Sequence, residues 1–229
     1  IYTYDIIYLL KNCECSLKEI KETLNNTDMD TFFKFVDEKK STLLQQRERI
    51  DKAIQLLEQS STITKTALQG DVNIPYITEH DDDTYIITTA CNASQSLNNH
   101  EIATTLNHHF TMCDFLSTVD RFPLGHIILK QTYNCGELHH AYIYSGIRTP
   151  LKEDNEFYSR QQIISKGTYL NIKHKGTYET IGKAYQELLL YIYSHHLSIA
   201  SDIYEESLLS HFATSSEEEH IIHIFVKVS

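Results

Sequence analysis

Apolar residues set two different rhythms along this chain, and the change falls near residue 72. Upstream the spacing is helical. Ser16 followed by Glu19 is a capping box, which predicts a helix opening there; a second helix is expected from Asp28 or Asp30. Within it Val36, Leu43, Ile50 and Leu57 recur every seven residues, and Phe33, Lys40, Arg47 and Ile54 interleave with the same period. Steps alternating between three and four make a coiled-coil seam. An ordinary core helix would rarely place Lys40 and Arg47 on that seam. A two-chain coiled coil tolerates them, because the stems cover apolar surface while the charges reach water. The seam therefore predicts a dimerisation helix using Phe33, Val36, Leu43, Ile50, Ile54 and Leu57. The Ser/Thr-rich run from Gln59 to Gly70 is expected to end it.

Downstream, β-branched and aromatic runs replace the heptads. A strand is expected near 83–90, a helix near 100–117, and strands near 126–133 and 138–147. The same order returns as a strand near 161–174, a helix near 178–195, and strands near 198–209 and 220–228. In the first helix Ile102, Leu106, Phe110, Cys113 and Leu116 share a face; in the second, Tyr178, Ile181, Tyr185, Leu188 and Ile192 do. Two strand–helix–strand–strand units in tandem suggest a duplication and an α+β domain with both helices on one side of a sheet. The boundaries expected are 1–28, helical; 29–60, the dimerisation helix; 61–71, a linker; and 72–229, the duplicated domain.

Composition narrows the function. A net charge of −11 is the wrong sign for a nucleic-acid surface over most of the chain. A basic DNA-contacting part would have to be local or lie outside residues 1–229. No run of about 18 apolar residues is present to span a bilayer. The start, without Met and mid-pattern, reads as that of a fragment and lacks the pattern of a signal peptide. Five cysteines without a CxxC pair fit reduced thiols in the cytosol. The histidine pairs 108–109, 139–140 and 195–196 contain no HxxxH or HExxH spacing, so no metal site is expected.

The segment most suggestive of chemistry is 198–212. In a strand from Ser198, Ile203 and Glu205 share one face while Asp202, Tyr204 and Glu206 share the other. One carboxylate therefore meets the buried side, where an unpaired charge is costly. Fifteen tyrosines and no tryptophan supply flat apolar walls attractive to cations. Either the carboxylate is a solvated strand end beside core tyrosines, or it faces a pocket for a bulky cation.

Four motifs carry a resemblance: Lys166-Gly-x-Tyr169 leading a strand, His174-Lys-Gly-x-Tyr178 opening a helix, Ala184-Tyr-x-x-Leu188 within it, and Asp202-x-Tyr-Glu205 on the next strand. With the terminal strand after Glu217, they resemble the GyrI-like effector-binding domain of bacterial drug-responsive regulators. Residues 1–60, with Cys15-Ser-Leu-Lys-Glu-Ile20 and the long helix, resemble the second half of a MerR-family DNA-binding domain, a remnant of a winged helix-turn-helix. The resemblance implies a cytoplasmic dimer joined by an antiparallel coiled coil. It implies that promoter DNA is contacted through a domain preceding Ile1, with RNA polymerase engaged indirectly, and that the ligand is a hydrophobic cation. By motif, Glu205 would meet that cation with Tyr169 and Tyr204 beside it; Phe212 and Tyr144 join on strand placement. No cofactor or catalytic residue is implied, although some relatives of this domain hydrolyse small molecules and others sequester proteins.

Overall fold

A computed structural model describes residues 2–25, 28–91, 99–116, 118–134, 139–211 and 213–229. The chain divides into two units, 1–57 and 58–229.

The first unit is helical. Helices α1 (Tyr2–Asn12) and α2 (Leu17–Asn25) enclose a small core of Leu10, Cys15 and Ile20. The capping box forms at α2: Ser16 N–H donates to Glu19 Oε2 at 2.6 Å and Glu19 N–H donates to Ser16 Oγ at 3.2 Å. Asp28 caps the next helix by accepting from Thr31 N–H at 2.8 Å. That helix, α3 (Met29–Ala67), has 39 residues, about 58 Å at 1.5 Å per residue. It continues through residues 61–67, where a linker was expected. Threonine costs an α-helix under about 1 kcal/mol per residue, and four hydrogen bonds offset this. Thr62 Oγ1 donates to Glu58 O, and Gln59 Nε2 donates to Asp120 Oδ1 at 2.6 Å. Lys173 Nζ donates to the carbonyls of Thr66 and Gln69 at 3.0 and 2.6 Å, capping the helix C-terminus. Gly70, at φ +74°, turns the chain out of the helix.

The second unit is built on one antiparallel eight-stranded sheet. In chain order its elements are β1 (Tyr76–His80), β2 (Thr84–Ala90), α4 (Asn99–Phe115), β3 (Val119–Ile128), α5 (Lys130–Asn134), β4 (His140–Ile147), β5 (Gln161–Ile164), β6 (Gly167–Lys175), α6 (Gly182–Ser194), β7 (Ile199–Leu209) and β8 (Ile221–Val228). The sheet order β1-β6-β8-β7-β3-β4-β2-β5 makes the duplication explicit. One half lies as β2-β4-β3 and the other as β6-β8-β7, and they meet where β3 pairs with β7. Each half lends a short strand to the other: β1 precedes β2 but pairs with β6, and β5 precedes β6 but pairs with β2.

Strand parity divides the core. Leu170, Ile172, Ile203, Ile224 and Val226 face α6 and pack on Ala184, Tyr185 and Leu188. Ile87 and Ile147 face α4 and pack on Met112 and Cys113. Cross-strand partners share a face, and the register carries both sets to the same side of the sheet. Tyr144, Tyr169, Tyr204 and Phe225 form an aromatic cluster on the other side.

Four expectations are corrected. The strand expected near 126–133 ends at Ile128. Asp202 Oδ1 accepts from Lys130 N–H at 2.8 Å and starts the short helix α5. The strand expected over 161–174 is two, parted before Gly167, which sits at φ +139°. Helix α6 begins at Gly182 rather than Tyr178, because 178–181 form a turn. Strand β1 had no counterpart in the sequence reading.

Candidate functional site

Glu205 lies in the middle of β7, directly opposite His126 of β3, and its side chain points to the helical face of the sheet. It is 1% exposed. Tyr185 of α6 donates its hydroxyl to Glu205 Oε1 at 2.6 Å, and His140 Nε2, at the start of β4, lies 2.7 Å from Oε2. The rings of His126 and His140 stack, with centroids 4.3 Å apart. Tyr178 presents its edge to both, and its hydroxyl lies 3.4 Å from His126 Nδ1. The site is thus a single carboxylate enclosed by two imidazoles and two phenols, drawn from β3, β4, β7, α6 and the turn before α6.

Burial alone would push the Glu205 carboxyl up. The hydrogen bond and charge of His140 and the Tyr185 hydroxyl outweigh it and hold the group below its ordinary value. The carboxylate stays ionised. Burial pushes His126 down to about 4, with His140 adding to the effect, so that ring is neutral near pH 7. Burial, with the Glu205 charge behind it, raises the hydroxyls of Tyr178 and Tyr185, and both remain donors. Tyr133 of α5 stands beside Tyr185, ring centroids 6.1 Å apart, and its buried hydroxyl finds no hydrogen-bond partner among the described residues. His140 is 31% exposed at its side chain and Tyr178 is 44% exposed, so this is the side on which the site opens to solvent. His126, His140 and Glu205 bring one ligand atom each within 4.8 Å of one another.

The tyrosines chosen from sequence as companions of Glu205 are elsewhere. Tyr204 is its neighbour on β7 and must face the opposite way. Tyr169 and Tyr144 lie with it in the aromatic cluster behind the sheet. Phe212 lies outside the described residues. The other carboxylates are committed too: Asp202 accepts from Lys130 N–H, and Glu206 accepts from the Tyr144 hydroxyl at 2.9 Å on the far face. Of the seam residues, Phe33, Val36, Ile50, Ile54 and Leu57 are exposed in the single chain, and Leu43 is half-buried.

No family model matches the chain. It is 24% identical over 236 residues to the multidrug-efflux transporter 1 regulator of Bacillus subtilis (strain 168), covering 98% of this chain and 81% of that protein. The crystal structure of the EcmrR C-terminal domain superposes with a TM-score of 0.54 at 11% identity, over 68% of this chain and 96% of that one. EcmrR in its DNA complex superposes with a TM-score of 0.50 at 12% identity, over 99% of this chain and 82% of that one. The chain therefore shares the fold of these EcmrR structures. No helix among its described residues is long and apolar enough to cross a membrane.

Four side chains of this site were not assigned to it from sequence: His126, His140, Tyr178 and Tyr185. The two tyrosines were visible as the apolar stripe of the second helix, seven residues apart. The histidines had no local signature, because each reaches the carboxylate from a different strand.

Proposed function

We propose that this chain senses bulky hydrophobic cations at Glu205 and passes their binding to promoter DNA as a cytoplasmic, non-enzymatic dimeric regulator. The observation that carries the reading is a fully buried yet ionised carboxylate among aromatic rings. Such a charge is costly in an apolar setting unless it is paired. An organic cation would meet the carboxylate with charge and the Tyr178 and Tyr185 rings with cation–π contact. To do so it must displace His140 from Oε2, which opens the site on its solvent side.

The route onward is short. Strand β7 carries Glu205 and ends at Leu209, which packs with Ile221 on Ala67, the last residue of α3. A ligand that shifts β7 in one of two arrangements biases the end of the long helix, and affinity for the ligand and for DNA become linked. The relatives support the destination: one is named a regulator of an efflux transporter, and another was solved on DNA. In this reading the response reaches promoter DNA, and polymerase responds to the altered promoter.

Glu205→Gln keeps the shape and the Tyr185 contact but removes the charge. Fluorescence titration should show a loss of at least tenfold in affinity for a cationic dye and little loss for a neutral dye of the same outline. Equal losses for both would sink the reading.

A further inference from the structure

We propose that His126, His140 and Glu205 form a binding site for one divalent transition-metal ion of the zinc type. Two imidazoles and a carboxylate are a donor set that suits zinc, cobalt, nickel or ferrous iron and not calcium or magnesium, which take oxygen ligands. The three donors come from three neighbouring strands of one rigid sheet, β3, β4 and β7. Their ligand atoms lie within 4.8 Å of one another. Tetrahedral bonds of about 2.1 Å place ligand atoms about 3.4 Å apart. The 2.7 Å contact between His140 and Glu205 must therefore open slightly, and the cluster then encloses the ion with small ring rotations.

Two further features match a metal centre. Metal ligands are usually oriented by outer hydrogen bonds. Here Tyr185 holds the second carboxylate oxygen at 2.6 Å, and the Tyr178 hydroxyl stands 3.4 Å from His126 Nδ1. The exposed edge of His140 gives the ion a way in. Three protein ligands leave at least one position for water.

The inference does not rest on the organic-cation reading; dye binding and metal binding are separate measurements, and either can fail alone. The test is titration of the EDTA-treated, full-length chain with Zn(II) by calorimetry and with Co(II) by visible absorption. We expect one ion per chain, a Co(II) spectrum with the strong bands of a four- or five-coordinate site, and a loss of at least tenfold in affinity in His126→Ala and in His140→Ala. A His195→Ala/His196→Ala control should bind as tightly as the original chain. If the alanine variants do not fold, the Co(II) spectrum and stoichiometry of the unaltered chain decide. The proposal is overturned if that chain takes up no ion at micromolar concentrations, if Co(II) keeps the weak spectrum of the hydrated ion, or if folded His126→Ala and His140→Ala variants bind undiminished.

Discussion

His109 is fully buried where α4 meets the sheet, with Nδ1 2.9 Å from Thr89 Oγ1 and Nε2 3.0 Å from Ser145 Oγ. A neutral imidazole, with one donor and one acceptor nitrogen, serves those two hydroxyls; a charged ring would be left in an apolar layer. Burial, with His108 adding to it, pushes His109 down to about 4. Unfolded, the same ring titrates near 6.5. Between those values the unfolded chain binds the extra proton, so stability falls as pH is lowered from about 6.5 to 4, by up to about 1.4 kcal/mol per pH unit for one histidine. Thermal unfolding across that window should show His109→Gln losing part of the acid sensitivity of the original chain. Parallel pH profiles would mean that His109 carries its proton when folded. At this scale the sequence disclosed Glu205 but not its companions. Motif spacing located the carboxylate, and strict strand alternation already excluded Tyr204 from its side. Nothing in a one-dimensional pattern reports that His126 lies across β3 from Glu205, or that His140 approaches from β4, since both contacts depend on which strands pair.

Among the elements, the end of α3 is held in an unusual way. Lys173, on β6, is 8% exposed and spends its charge on two carbonyls of the helix C-terminus, Thr66 and Gln69. A cation there satisfies orphan carbonyls and opposes the helix dipole. Replacing Lys173 by Met preserves most of the apolar stem and removes both bonds, which should cost about 1–3 kcal/mol. The expected outcome is a lower Tm, with faster amide hydrogen exchange at Leu68 and Gln69, whose N–H groups bond within that last turn. Unchanged exchange at those amides would show that the cap is dispensable. Element existence was largely legible, because α2, α3, α4 and α6 carry apolar periods and α2 and α3 also carry caps. The errors fell where tertiary bonds overrode local preference: Lys173 and Gln59 extend α3 through threonines, Asp202 turns 130–134 into a helix, and a two-residue break with Gly167 splits one apolar run into β5 and β6. The exchange of β1 and β5 between halves was invisible, since each is short and pairs far from its neighbours in sequence.

On the scale of the whole molecule, α3 leaves a row of apolar side chains exposed in the single chain. Ile50 is 58% exposed and Leu57 is 60% exposed, on a stripe that also holds Phe33, Val36 and Ile54. Apolar residues exposed singly are ordinary, but a continuous stripe over four heptads is the kind that a second helix covers. Burying a side chain of this size contributes about 1.5–3 kcal/mol, so several of them on each strand can outweigh the entropy of association. Lys40 and Arg47 fall on the same stripe, where their stems can cover the partner while their charges reach water. In an antiparallel pairing a seam position near the two-fold axis meets its own copy, and one far from it meets a different position of the other chain. Leu43→Glu combined with Ile50→Glu places two carboxylates on each seam. Sedimentation equilibrium should then give a dimer for the original chain and a monomer for the variant, and the concentration dependence of Tm expected of a dimer should vanish. The dye affinity at Glu205 should survive in the monomer, because His126, His140 and Tyr185, which stand against that carboxylate, belong to the same chain. A variant that remains dimeric would move the dimer contact away from α3, and a monomer that no longer binds dye would make the pocket depend on its partner.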